Sequence, residues 1–111
     1  MSDINFAALR LACNRVNAMK KVDAIISACS SFKIGKTGDE LLDRLANYHG
    51  EYDYINSVFV GAKFDVDDME SYLIDHYISQ PKCDNKKDGG ASNNDTMADD
   101  AEKYQVYVVW K

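Results

Sequence analysis

Apolar side chains near the start of the chain recur at three- and four-residue spacing. Phe6, Leu9, Cys13 and Val16 form the stripe, and Ala12 and Met19 widen it. That period predicts a helix over residues 3–20 with one apolar face, capped by Ser2 or Asp3. The pattern then changes. Val22, Ile25 and Ile26 lie in a β-rich run from Val22 to Ala28, and Phe32 and Ile34 in another from Ser31 to Gly35. With Cys29-Ser30-Ser31 between them, the two runs predict a hairpin. Thr37 and Glu40 stand at capping-box spacing and open a second helix, with Leu41, Leu42 and Leu45 on its apolar side. His49-Gly50 ends it, glycine being suited to the left-handed stop.

Tyr54 to Phe64, centred on Val58, Phe59 and Val60, predicts a strand. Asp65 then caps a third helix from Val66 to about Ser79, with Asp67 and Asp68 in its first turn, where the helix dipole favours anions. Pro81 stops it. Residues 82–103 have almost no apolar content and predict a flexible loop. Tyr104 to Trp110 closes the chain with the strongest β signal of all. So apolar a strand must join the existing sheet, because left exposed it would aggregate. The expected architecture is α+β, a small antiparallel sheet of three strands plus a C-terminal edge strand, flanked by about three helices. A single domain spans residues 1–111.

Composition narrows the picture. With 111 residues, 46% of them hydrophobic and 28% charged, the chain builds one modest core. The net charge of −5 excludes a globally basic coat for nucleic acid. The charge is uneven, however: residues 1–50 hold seven Lys/Arg against five acids, and residues 51–111 hold six against thirteen. This split fits a locally positive binding face as well as ordinary solvated surfaces. No apolar run is long enough to span a bilayer, so no membrane partner is expected. The first residues do not read as a secretory signal. Three scattered cysteines, Cys13, Cys29 and Cys83, fit free thiols in a reducing, intracellular compartment, cytoplasmic or nuclear.

Candidate chemistry gathers at a few positions. On the third helix Val66, Glu70, Leu73, Ile74 and Tyr77 share a face. Glu70 either reaches water at the margin of that stripe or is buried, and then needs a cation, a hydrogen-bond network or a metal. Lys33-Ile34-Gly35-Lys36-Thr37-Gly38 is not a nucleotide-binding P-loop, because Ser30 stands where that loop needs its first glycine. It is a strand running into a capped helix, and reads either as a plain turn or as an anion site served by Lys33 and Lys36. Arg44 and Tyr48 are one helical turn apart and can face one ligand, Arg44 as a phosphate clamp, although Arg44 can equally pair with Glu40. The three cysteines and two histidines, His49 and His76, show no metal-finger spacing.

Strand Phe32–Thr37, helix Leu41–Tyr48, a further strand and helix Met69–Ile74 occur in an order that resembles the GIY-YIG nuclease domain, over roughly residues 22–85. In that family the second signature strand ends in Tyr-Ile-Gly, and Lys33 stands here in place of the tyrosine. A helix carries an arginine with an aromatic or histidine four residues on, matched by Arg44 and Tyr48. A later helix carries the metal-binding glutamate, matched by Glu70, and Pro81 with Asn85 is similar to the family's proline–asparagine ending. The first signature, Gly-Ile-Tyr, is missing from Lys21–Ile26, so the tyrosine that helps activate water would have to come from elsewhere, Tyr104 or Tyr107 of the terminal strand. The resemblance implies an antiparallel sheet flanked by helices. It also implies metal-dependent hydrolysis of DNA phosphodiesters, with Glu70 binding Mg²⁺ or Mn²⁺, Arg44 holding the scissile phosphate, Tyr48 orienting water or phosphate, and Lys33 and Lys36 adding positive field. Two alternatives stand beside it. One is a degenerate nuclease fold that binds nucleic acid or a protein without cutting. The other is an α+β interaction module, a homodimer joined through the Tyr104–Trp110 strand.

Overall fold

The computed structural model describes residues 5–85 and 103–111. The element order is α1 (Phe6–Ala28), β1 (Phe32–Thr37), α2 (Leu41–Ala46), β2 (Tyr54–Gly61), α3 (Lys63–Tyr77) and β3 (Tyr104–Trp110). The strands form one antiparallel sheet in the order β1-β3-β2. This is the expected α+β class, a small antiparallel sheet with three helices. The terminal strand is nevertheless not an edge. β3 lies in the centre and pairs along its length with both neighbours, Phe32 opposite Trp110 on one side and Tyr54 opposite Trp110 on the other. Its burial explains why: Tyr107, Val106, Val108 and Val109 are all fully enclosed, as the middle strand of a sheet covered on both faces requires.

The expected hairpin is absent. The first helix runs on through Val22–Ala28, because Ala18, Val22 and Ile25 continue at four- and three-residue spacing and are buried together. Packing overrides the β preference of Val22, Ile25 and Ile26. Asn5 is the N-cap, its side-chain oxygen accepting from the Ala8 amide at 3.0 Å; Ser2 and Asp3 lie outside the described residues. The buried stripe serves only the C-terminal part of α1. Phe6, Leu9 and Val16 lie on the opposite side of the helix and are exposed. At its far end Lys82 donates to the Ile26 carbonyl at 2.8 Å, satisfying one of the last carbonyls of the helix.

α2 is shorter than expected, six residues, and the capping box does not form. Thr37 is the last residue of β1, and its hydroxyl accepts from the Asp39 amide, while Glu40 makes no side-chain cap. Tyr48 thus lies beyond the helix, in the turn that ends with His49 at φ 53° and Gly50 at φ 82°. Leu41 and Leu45 face the sheet and Leu42 faces water. α3 begins at Lys63, so Asp65 sits in its first turn and Ala62 is the N-cap.

The sheet separates two cores. On one face α1 and α3 cover it, with Val22, Phe32, Ile34, Val58, Val66, Met69, Leu73, Val106 and Val108 in contact. A register shift between Ser57 and Phe59 adds a residue to β2 and lets both Val58 and Phe59 reach this core. Tyr77 ties the helices together, donating to the Asp23 carboxylate at 2.7 Å. On the other face a smaller core holds Tyr52, Tyr107 and Val109, closed by Leu41, Leu45, Tyr48 and Ile55.

Part of the expected loop is ordered structure. Lys82–Asn85 runs along the outer edge of β1: the Phe32 amide donates to the Lys82 carbonyl at 2.9 Å and the Asp84 amide to the Phe32 carbonyl at 2.8 Å. The Asn85 amide then does for Ile34 what another strand would do, accepting from its N–H and donating to its C=O, each at 2.9 Å. The rest of that loop, residues 86–102, lies outside the described residues.

Candidate functional site

Alternation along β1 sorts the candidate residues. Neighbours in a strand point to opposite faces. Lys36 points to the α3 face and Gly35 to the α2 face, where Tyr107 lies against it. A Cβ at Gly35 would collide with the Tyr107 ring and hydroxyl, so this position requires glycine.

On the α3 face Glu70 is buried, 5% exposed, which decides between the two readings of its place in the apolar stripe. The compensating charge is Lys36. Its ammonium is 3.5 Å from the Glu70 carboxylate and 2.9 Å from that of Asp67. Burial works against the Lys36 charge, but the hydrogen bond with Asp67 and the attraction of Glu70 and Asp67 outweigh it and raise the pKa above the usual lysine value. The ammonium therefore stays charged. Among the described residues no three His, Cys, Asp or Glu side chains gather as a metal site. A divalent cation at Glu70 would have to displace Lys36, so this carboxylate pair does not fit the metal that the resemblance implies.

On the α2 face the Arg44 Nε–H donates to the Tyr107 hydroxyl at 2.9 Å, and the hydroxyls of Tyr107 and Tyr48 are 2.6 Å apart. Lys33 places its ammonium 5.6 Å from the centre of the Tyr48 ring, and the Arg44 guanidinium is 5.9 Å from the same ring. Tyr107 is fully enclosed, and its hydroxyl shares with that of Tyr48 a hydrogen bond in which either oxygen can donate. Burial, then the neighbouring Tyr107, holds the Tyr48 proton far more tightly than in a free tyrosine. Tyr48 therefore stays protonated and is no base, and Arg44, Tyr107 and Tyr48 form one hydrogen-bonded cluster.

The site residues inferred from sequence thus fall into two groups. Arg44, Tyr48 and Lys33 come together, joined by Tyr107. Glu70 and Lys36 come together on the other face. Arg44 and Glu70 do not share a cleft, and Lys33 and Lys36 do not share an anion site. Tyr107 takes a position beside Arg44 that Lys21–Ile26, inside α1, does not reach. The cysteines are free thiols, and burial raises the pKa of both Cys29 and Cys83, which makes them poor nucleophiles. No family model, no curated protein and no solved structure matches the chain. Among the described residues no helix is long and apolar enough to cross a membrane.

Proposed function

We propose that this protein binds nucleic acid, DNA in the first instance, by its phosphate backbone at the α2 face, and does not cut it. The observation that carries this reading is the split between the faces: Arg44, with Tyr107 and Tyr48, lies on one side of β3, and Glu70, neutralised by Lys36, lies on the other. Arg44 and Lys33 supply charge, Tyr48 supplies a protonated phenol beside them, and the sheet holds them in register. Among the described residues, no group of carboxylates gathers there as a metal site.

Metal-dependent cleavage is the second reading. The meeting of Tyr107 with Arg44 and Tyr48 favours it, because it brings a tyrosine to the arginine that would grip the phosphate. It requires Lys36 to yield Glu70 to Mg²⁺ or Mn²⁺.

Fluorescence anisotropy with labelled single- and double-stranded DNA tests the binding. Arg44→Ala and Lys33→Ala should each weaken it by about tenfold, and each should reduce the salt slope of log K by about one. Wild-type affinity in both variants, or no DNA affinity in the wild-type protein, overturns the reading.

A further inference from the structure

The two outer edges of the sheet are treated differently. At β1 the segment Lys82–Asp84 takes up the main-chain groups of Phe32, and the Asn85 side chain takes up those of Ile34. At β2 the paired neighbour is β3, and among the described residues no strand lies on its outer side. β2 is eight residues long, Tyr-Ile-Asn-Ser-Val-Phe-Val-Gly, with no charge and no proline. Charged residues and proline are the usual guards of an open edge. Apolar surface accompanies it: Tyr54 is 57% exposed, Val60 51%, and Phe64, three residues past the strand, 80%.

We infer that β2 is the surface through which two copies of this chain join, edge to edge and antiparallel about a two-fold axis, making one six-stranded sheet. The occupant follows from charge and register. An uncharged strand offers no counter-charge to an acidic or basic partner strand, whereas facing itself it opposes no like charges. Pairing Ile55 with Val60 and Asn56 with Phe59 of the second copy places each pair on one face. Ile55 and Val60 stand opposite Val109 and Gln105 on the α2 side, and Asn56 and Phe59 opposite Val108 and Val106 on the helix-covered side. The bulge between Ser57 and Phe59 then falls on the two-fold axis, where both copies bend alike. One strand pair with three exposed apolar side chains is smaller than a standard interface, so the dimer is a weak one, in the micromolar range or above.

Sedimentation equilibrium of the full chain over a wide concentration range tests this. The mass should rise from 12.5 kDa toward twice that value. Val60→Lys and Asn56→Lys, both at exposed positions, should raise the dimer Kd by at least about tenfold. Leu9→Lys on α1 and Leu42→Lys on α2 should leave it unchanged. Amide exchange gives a second readout that needs no variant: protection at residues 54–61 should grow with protein concentration. A monomer at every concentration, dissociation by Leu9→Lys or Leu42→Lys in place of the β2 variants, or concentration-dependent protection confined to another element overturns the inference.

Discussion

A tyrosine hydroxyl with no access to water needs partners inside the protein, and Tyr107 finds two in Arg44 and Tyr48. Tyr107→Phe keeps the ring over Gly35 and removes both bonds. It should cost about 1–2 kcal/mol in urea unfolding, and it should weaken DNA binding, since Arg44 loses the group that aims it. Lys36 provides the contrast. Lys36→Met leaves the Glu70 carboxylate buried without its ammonium and should cost about 3 kcal/mol, while DNA binding by the folded fraction persists because Lys36 faces α3. Equal loss of binding in the two variants would argue against two separate faces. The spacing of Val66, Leu73 and Tyr77 put Glu70 on the apolar stripe but left open whether it reached water at the margin or was buried, as it is. Its partner was not legible, because Lys36 and Glu70 meet only when β1 is laid under α3, and helical spacing carries no information across that distance.

Among the elements, α1 shows how a local signal misleads. Val22, Ile25 and Ile26 read as strand by residue type, yet Ala18, Val22 and Ile25 also keep helical spacing, and the core against α3 and the sheet decides for helix. The edge of β1 is the reverse case, where polar residues that read as loop complete the sheet. Asn85→Ala removes two hydrogen bonds from Ile34 and should destabilise the protein by about 2 kcal/mol. It should also speed amide exchange at Ile34 before it affects α3. Uniform exchange across the chain would mean that Asn85 has no local role. α2, β2 and α3 were legible within a few residues, since their boundaries carry glycine or acids. The missing capping box at Thr37 reflects a competing use of that hydroxyl, which holds the Asp39 amide at the end of β1.

For the molecule as a whole, the order of elements was legible apart from the strand expected over Val22–Ala28, and their adjacency was not. Tyr104–Trp110 was plainly a strand, but only pairing with both β1 and β2 makes it the centre of the sheet and brings Tyr107 to Arg44. The same assembly fixes the response to alkali. Tyr48, Tyr52 and Tyr77 all have pKa values raised by burial, and Lys36 has one raised by Asp67 and Glu70 against burial. Each binds its proton more tightly when folded. Their contribution is complete below the ordinary values of 10.0 for tyrosine and 10.5 for lysine, and is lost as pH rises through the folded values. The urea midpoint should therefore show no loss from these groups up to about pH 9 and fall steadily above about pH 10. A midpoint that holds level well above that range would contradict the buried positions of these side chains.

Binding without cutting is the claim on which the functional account turns, and a supercoiled plasmid reads both at once. Incubated with the protein and Mg²⁺ or Mn²⁺ at low salt, the plasmid should be retarded on a gel and, after the protein is stripped away, should run fully supercoiled; Arg44→Ala should abolish the retardation. Metal-dependent relaxation of the plasmid that disappears in both Arg44→Ala and Glu70→Ala would contradict the account, because it would require the two faces of the sheet to act on one phosphate.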